Sequence, residues 1–96
     1  MKARTLEVRE FRLSKAWSTQ YRSVFEFKGL VESESREHQD FYEVIVRVKV
    51  SNVTRTPTLA SYYCECLYYL RKGGICKHIK RLYNKALEHL KEMRVI

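Results

Sequence analysis

Residues 62–82 read YYCECLYYLRKGGICKHIKRL and contain all three cysteines of this 96-residue chain. Cys64 and Cys66 form a C-E-C pair, and Cys76 and His78 form a C-K-H pair after nine intervening residues. Three thiolates and one imidazole are a typical ligand set for a closed, tetrahedral, structural zinc ion. We therefore expect one structural Zn²⁺ held by these four side chains.

The spacing within each pair suits a shared metal. On a strand, Cys64 and Cys66 point to the same face with backbones about 7 Å apart, so two zinc–sulfur bonds of about 2.3 Å can converge. In a helix, residues two apart lie roughly 200° apart around the axis, so Cys76 must precede a helix and His78 must lie in its first turn. The Gly73-Gly74 turn lets the chain reverse between the pairs. This arrangement predicts a zinc ion that joins the sheet edge to the start of a helix.

Other chemistries of the four residues are less well supported. Free cysteines are often ordinary core residues, and an iron–sulfur cluster uses similar ligands. A C-x-C redox protein would show reversible thiol oxidation without metal, but an odd number of cysteines favours metal binding inside the cell. Four protein ligands leave no open position for a catalytic water. With no phosphate-binding glycine loop and no carboxylate pair placed for acid–base work, the sequence predicts that the protein is not an enzyme.

The flanking sequence predicts an α+β fold, in which a small antiparallel sheet of about four strands precedes one C-terminal helix. The predicted strands cover residues 4–13, 21–31, 41–50 and 59–66, and the last continues with a bend toward Leu70. In the third strand, alternate residues from Tyr42 to Val50 are apolar, which is the clearest period of two. From Ile75 to Met93, apolar residues recur at three- and four-residue steps, which predicts an amphipathic helix.

The segments between these elements are predicted from their polarity. Residues 14–20 are interpreted as a polar connection that contains Trp17, residues 32–40 as the loop of a hairpin, and residues 51–58 as a turn. The alternation slips between Val8 and Phe11, which predicts a β-bulge. We expect a single domain over residues 1–96, with strands in residues 1–58 and the zinc module in residues 59–96.

The chain is strongly basic, with a net charge of +8. Such a charge favours an anionic partner, most often nucleic acid, although a basic surface also aids solubility or docks an acidic protein. No apolar run is long enough for a membrane helix, and the start, MKARTLEVRE, lacks an apolar signal region. These features predict an intracellular protein, cytoplasmic or nuclear, with no membrane and no small-molecule substrate.

The basic residues cluster next to the proposed metal. Between Leu67 and Leu87 there is no acidic residue, and six basic residues are candidate nucleic-acid contacts: Arg71, Lys72, Lys77, Lys80, Arg81 and Lys85. A solvated helix face is the simpler interpretation of such a run, but the absence of interleaved acids favours phosphate contact. Tyrosines are dense here as well; on a continuous strand Tyr62 and Tyr68 would share the ligand face, in the core or stacked on bases.

The pattern C-x-C-x(n)-C-x-H, with a glycine turn before the second pair and a basic helix after it, resembles the SWIM-type zinc finger. The resemblance covers residues 62–86 and implies zinc ligation by Cys64, Cys66, Cys76 and His78. Many members have proline before the third ligand, where this chain has Ile75. The resemblance implies DNA binding or protein–protein contact. It is most similar to small recombination proteins that partner RecA-like ATPases, and to archaeal or viral relatives of them.

Overall fold

The computed structural model describes residues 6–33 and 40–96, and this part of the chain forms a four-stranded sheet with two helices. The strands pair antiparallel in chain order: β1 (Val8–Ser18), β2 (Arg22–Glu32), β3 (Phe41–Ser51) and β4 (Pro57–Cys64). The helices that follow are α1 (Leu67–Lys72) and α2 (Lys77–Glu92). The predicted α+β fold, with an antiparallel sheet before a C-terminal helix, is confirmed. None of the described helices is long and apolar enough to cross a membrane.

β3 forms the centre of the core. Its apolar residues alternate as predicted, and Val44, Val46 and Val48 are completely buried between the sheet and α2. The neighbouring strand β2 supplies Phe27 and Val31 to the same face. Because side chains alternate across a strand, the β3 residues of opposite parity lie on the other side of the sheet.

The first strand begins and ends later than the sequence predicted. β1 continues to Ser18, so the interpretation of residues 14–20 as a connection was wrong; residues 4 and 5 of the predicted strand lie outside the described residues. The predicted slip between Val8 and Phe11 is confirmed as a register shift, in which Glu10 adopts a positive φ of 52°. A second shift lies between Leu13 and Lys15. These two irregularities break the alternation, and this is why the second half of β1 resembles a loop in sequence.

The last strand is shorter than predicted. β4 ends at Cys64, and the chain then turns into α1 instead of extending toward Leu70. The Cys66 thiol accepts a hydrogen bond from the Tyr69 backbone N–H at 3.5 Å and caps the start of α1. Gly73, at φ 69°, caps its end in the left-handed conformation that glycine tolerates best. The strand-based prediction that Tyr62 and Tyr68 share a face was therefore wrong.

α2 lies across one face of the sheet, opposite β2, β3 and β4. It buries Ile79, Leu82, Ala86 and Leu90 there. Leu82 requires Gly29 beneath it, since a Cβ on Gly29 would lie 3.0 Å from Leu82 Cδ1. The two ends of the predicted apolar arc, Ile75 and Met93, are exposed instead. The predicted hairpin between β2 and β3 is present as a strand pair, and residues 34–39 of its predicted loop lie outside the described residues.

The side of the sheet that faces away from α2 is here called the open face. At its centre Arg47 Nε lies 2.9 Å from Glu26 Oε1, and the Glu26 side chain is only 5% exposed. Burial opposes ionisation of Glu26, but hydrogen bonds from Arg47 and Ser14 and the nearby positive charges outweigh it. The net effect lowers the pKa of this carboxyl below its ordinary value.

Glu26→Gln is expected to destabilise the protein by about 1–2 kcal/mol at neutral pH, because a charge-assisted hydrogen bond becomes a neutral one. A carboxyl whose pKa is lowered by folding stabilises the fold above its unfolded pKa and loses this effect as pH falls through the folded value. The difference between wild type and variant should therefore shrink below about pH 4. Urea unfolding across pH measures it, with the exposed Glu43→Gln as the matched control. An equal effect of both variants would contradict the assignment.

Candidate metal centre

The four predicted ligands come together from three elements. Cys64 is the last residue of β4, Cys66 is the N-cap of α1, and Cys76 is the N-cap of α2. His78 lies in the first turn of α2, as the spacing predicted. Cys64 and Cys66 do not share a strand, but the turn into α1 brings both thiols to one point. The end of the sheet and the starts of two helices therefore meet at this site.

The geometry of the cluster fits a tetrahedral metal. One ligand atom from each residue lies within 4.8 Å of all the others, and all four residues are buried. Cys76 Sγ and His78 Nδ1 are 3.6 Å apart. Two ligands on one zinc, with bonds of about 2.3 and 2.0 Å at a tetrahedral angle, have a comparable separation. The three thiols are free, with no disulfide between them.

The imidazole of His78 adds a second indication of a metal. Its Nε2 is buried and has no hydrogen-bond partner among the residues that the structure describes. The ring packs edge-on against Tyr42, with centroids 5.0 Å apart. A histidine in such surroundings lacks the polar partners that buried imidazoles usually have. Coordination through one ring nitrogen provides a strong interaction for this side chain.

The thiols already share protons in a way that favours metal binding. Cys64 donates a hydrogen bond to Cys76, which, together with burial, raises the pKa of Cys64. The same hydrogen bond, with a further one involving His78, holds the pKa of Cys76 well below that of an ordinary thiol. Zinc binds thiolates, so the cluster presents one ligand in its binding form, and the metal displaces the remaining thiol protons.

The fold and the site together define a small zinc-binding domain with a Cys₃His centre. The model of the SWIM zinc finger family matches residues 46–87, a segment that begins inside β3 and ends within α2. This part of the chain is a SWIM zinc finger, and the four residues bind one structural zinc ion. A comparison with curated proteins found no match, and a comparison with solved structures found none either.

The zinc centre is a structural element of a binding module. All four ligands are supplied by the protein and are buried, an arrangement typical of zinc ions that hold a fold together. The SWIM zinc finger is a family of binding modules, not a catalytic one. The function of this centre is therefore to position the segments attached to it, which are α1, the glycine turn and the first turns of α2.

The six predicted nucleic-acid contacts divide into two groups. Arg71, Lys72, Lys77 and Lys80 are exposed beside the zinc centre. Arg81 and Lys85 lie on the flank of α2 nearest β1 and are half-buried. Arg81 Nε donates to the Leu6 carbonyl at 2.9 Å, and Lys85 Nζ lies 5.4 Å from the centre of the Phe11 ring. These two side chains thus have contacts within the fold as well as any they make to a partner.

Sequence reasoning missed the basic residues of the open face. Arg12, Lys28 and Arg47 are far apart in the chain, but the register of the sheet brings them close together. Trp17 was interpreted as part of a connection, whereas it lies on β1 beside the Arg47 guanidinium. The alternation of charged and apolar residues in β3 was the available signal for this face. It required the bulges of β1 to be placed before the neighbours could be identified.

Proposed function

We propose that this protein is a zinc-stabilised nucleic-acid-binding domain that contacts DNA phosphates next to its metal centre. The contact surface, here called the zinc-side surface, consists of Arg71, Lys72, Lys77, Lys80, Arg81 and Lys85. The observation that carries the proposal is the exposure of four of these six cations on the elements that zinc holds in place. Neutralisation of phosphates by clustered cations supplies a large share of the affinity of proteins for nucleic acids.

The position of the zinc-side surface supports this role. Arg71 and Lys72 form the last turn of α1, and Lys77 and Lys80 follow in the first turns of α2. No acidic residue interrupts residues 67–87, so the field of this surface has a single sign. The zinc ion fixes the angle between the two helices, and the four cations are therefore presented with little loss of backbone entropy on binding.

The zinc-side surface can be tested by charge removal. The triple variant Arg71→Gln/Lys72→Gln/Lys80→Gln is expected to weaken DNA binding and to reduce the salt slope by about two to three, because each lost phosphate contact removes about 0.9 of a unit on duplex DNA. Fluorescence anisotropy with a labelled duplex at several salt concentrations measures both quantities.

A matched control removes the same charge elsewhere. Arg55→Gln/Lys91→Gln/Arg94→Gln changes three exposed cations at the far end of α2 and beside it. This variant should retain the wild-type salt slope to within one unit. If both triple variants bound DNA equally well, the zinc-side surface would not be the contact.

A protein-docking role is the second candidate, and it is favoured by exposed apolar residues around α1. Leu70 is 61% exposed, Tyr68 51% and Ile75 41%. Clustered exposed apolar side chains are typical of interaction sites. The SWIM resemblance implies a RecA-like recombination ATPase as the partner. An adaptor of this kind would bind little DNA alone at physiological salt, and Leu70→Ala/Ile75→Ala would abolish capture of such an ATPase while leaving zinc content unchanged.

A further inference from the structure

The open face carries a second positive surface, on the side of the sheet that α2 does not cover. The register of the strands places its residues in rows across the sheet. One row joins Trp17, Val24, Lys49 and Thr58, the next joins Lys15, Glu26 and Arg47 with Ser61, and a third joins Arg12, Lys28, Ile45 and Tyr63. Arg22 and Ser51 lie just beyond the first row. This part of the open face is here called the basic half.

The basic half has a pronounced excess of positive charge. It contains six basic residues, which are Arg12, Lys15, Arg22, Lys28, Arg47 and Lys49. Its one acidic residue, Glu26, is buried and bonded to Arg47. The next rows toward the β2–β3 hairpin are different, because Glu32 and Glu43 lie there with Arg9. A polyanion is therefore attracted to the basic half of the face and not to the whole of it.

The same region offers exposed aromatic rings and two clefts. Trp17 is 44% exposed although the Arg47 guanidinium lies 5.7 Å from its ring centre, and Tyr63 is 38% exposed. A cleft of about 280 Å³ is lined by two cations and four hydroxyl-bearing residues: Tyr21, Arg22, Lys49, Ser51, Thr56 and Thr58. A second cleft, of about 190 Å³, is lined by Ile45, Arg47 and Tyr63 among others. Cations and hydroxyls suit a phosphate in the first cleft, and an aromatic ring beside an apolar side chain suits a base in the second.

We infer that the basic half of the open face binds single-stranded nucleic acid, with a phosphate held by Arg22 and Lys49 and unpaired bases stacked on Tyr63 and Trp17. Exposed rings stack on bases only when those bases are unpaired. A duplex is read by elements that enter a groove, such as one helix or a two-stranded ribbon, and the face of a four-stranded sheet is too broad for that. The inference rests on the proposed nucleic-acid function but uses the opposite side of the sheet from the zinc-side surface.

Trp17 is the only tryptophan of the chain and provides a direct readout. Titration of the zinc-loaded protein with oligothymidylate should quench its fluorescence, because a base stacks on the ring or displaces Arg47 from it. Oligouridylate in a parallel arm tests the RNA form of the same ligand, and quenching by either strand supports the inference. The absence of quenching by both, at concentrations where anisotropy shows the strand bound, would overturn it. Equal quenching by a duplex of the same length would overturn the choice of single strands.

Two variants test the face independently of the tryptophan. Arg22→Gln/Lys49→Gln removes the cations of the first cleft, and Tyr63→Ala removes a stacking ring. The latter should weaken oligothymidylate binding about five- to hundredfold. Tyr68→Ala, an exposed tyrosine on the zinc side, is the matched control and should bind as wild type does. Circular dichroism confirms that each variant is folded, and the charge variant gives a second test if Tyr63→Ala does not fold.

The zinc-side triple variant separates this inference from the proposed function. Arg71→Gln/Lys72→Gln/Lys80→Gln should lose duplex affinity yet retain the Trp17 response to oligothymidylate. Loss of duplex affinity in a protein whose Trp17 never responds would leave the proposed function standing and overturn the open-face site. If Arg22→Gln/Lys49→Gln and Tyr63→Ala both bound oligothymidylate as well as wild type, the open-face site would be wrong as well.

Discussion

Removal of zinc is expected to unfold the protein. Structural zinc contributes roughly 10–16 kcal/mol of apparent binding free energy in zinc-finger peptides, as much as or more than the roughly 5–15 kcal/mol that stabilises a typical domain. The centre joins β4 to the starts of α1 and α2, and α2 supplies Ile79 and Leu82 to the core. Without the metal, three buried thiols and the unpartnered His78 Nε2 would remain in a core of modest size.

Two measurements check this result. Metal analysis should find one zinc per chain, and a chelator should abolish the cooperative thermal transition seen by circular dichroism. His78→Gln should fail to hold zinc. His89→Gln is the matched control, since His89 packs edge-on against Phe11 and Phe27 away from the centre and should leave zinc content at one per chain. A chelated protein that melts at the same temperature as the zinc form would show that the metal does not stabilise the fold.

Leu82→Ala is expected to cost about 3–5 kcal/mol of unfolding free energy. Leu82 is completely buried and fills the space that Gly29 leaves open in the sheet, so truncation creates a cavity that the rigid β2 backbone cannot close. For a domain of this size the melting temperature should fall by at least about 10 °C.

The control for this substitution is the same change at an exposed leucine. Leu70→Ala, on α1, should change stability by no more than about 0.5 kcal/mol. Chemical unfolding of the three zinc-loaded proteins compares them directly. If Leu82→Ala were as stable as Leu70→Ala, the packing of α2 on Gly29 would be wrong.

The zinc ligands were predictable from sequence because their chemistry is local. The two ligand pairs, Cys64 with Cys66 and Cys76 with His78, are each separated by one residue, and few roles other than metal binding require such spacing in a small intracellular domain. The third strand was predictable for a similar reason, since its alternation is uninterrupted and one face is fully buried. The position of Cys76 before the helix followed from the angle between residues two apart.

Other features depended on contacts that are distant in sequence. Residues 14–18 join β1 because β2 lies beside them, although their polarity resembles that of a loop. Residues 67–72 contain β-favouring tyrosines, yet the Cys66 cap and the metal-directed turn make them helical. The open face was missed because its charges come from strands separated by hairpins. The division of the chain at residues 58 and 59 stays a prediction, and the family match begins earlier, within β3.

The register shifts of the sheet have a consequence for solubility. β1 and β4 are the two outer strands, and each is interrupted: β1 twice, and β4 where Ser61 and Leu59 pair with consecutive residues of β3. A regular outer strand is a template on which a neighbouring chain can add its own strand, whereas an interrupted one offers hydrogen-bonding groups out of step with a straight partner. Both borders of this sheet are therefore protected against growth into fibrils, which allows a small domain to leave one sheet face uncovered by a helix.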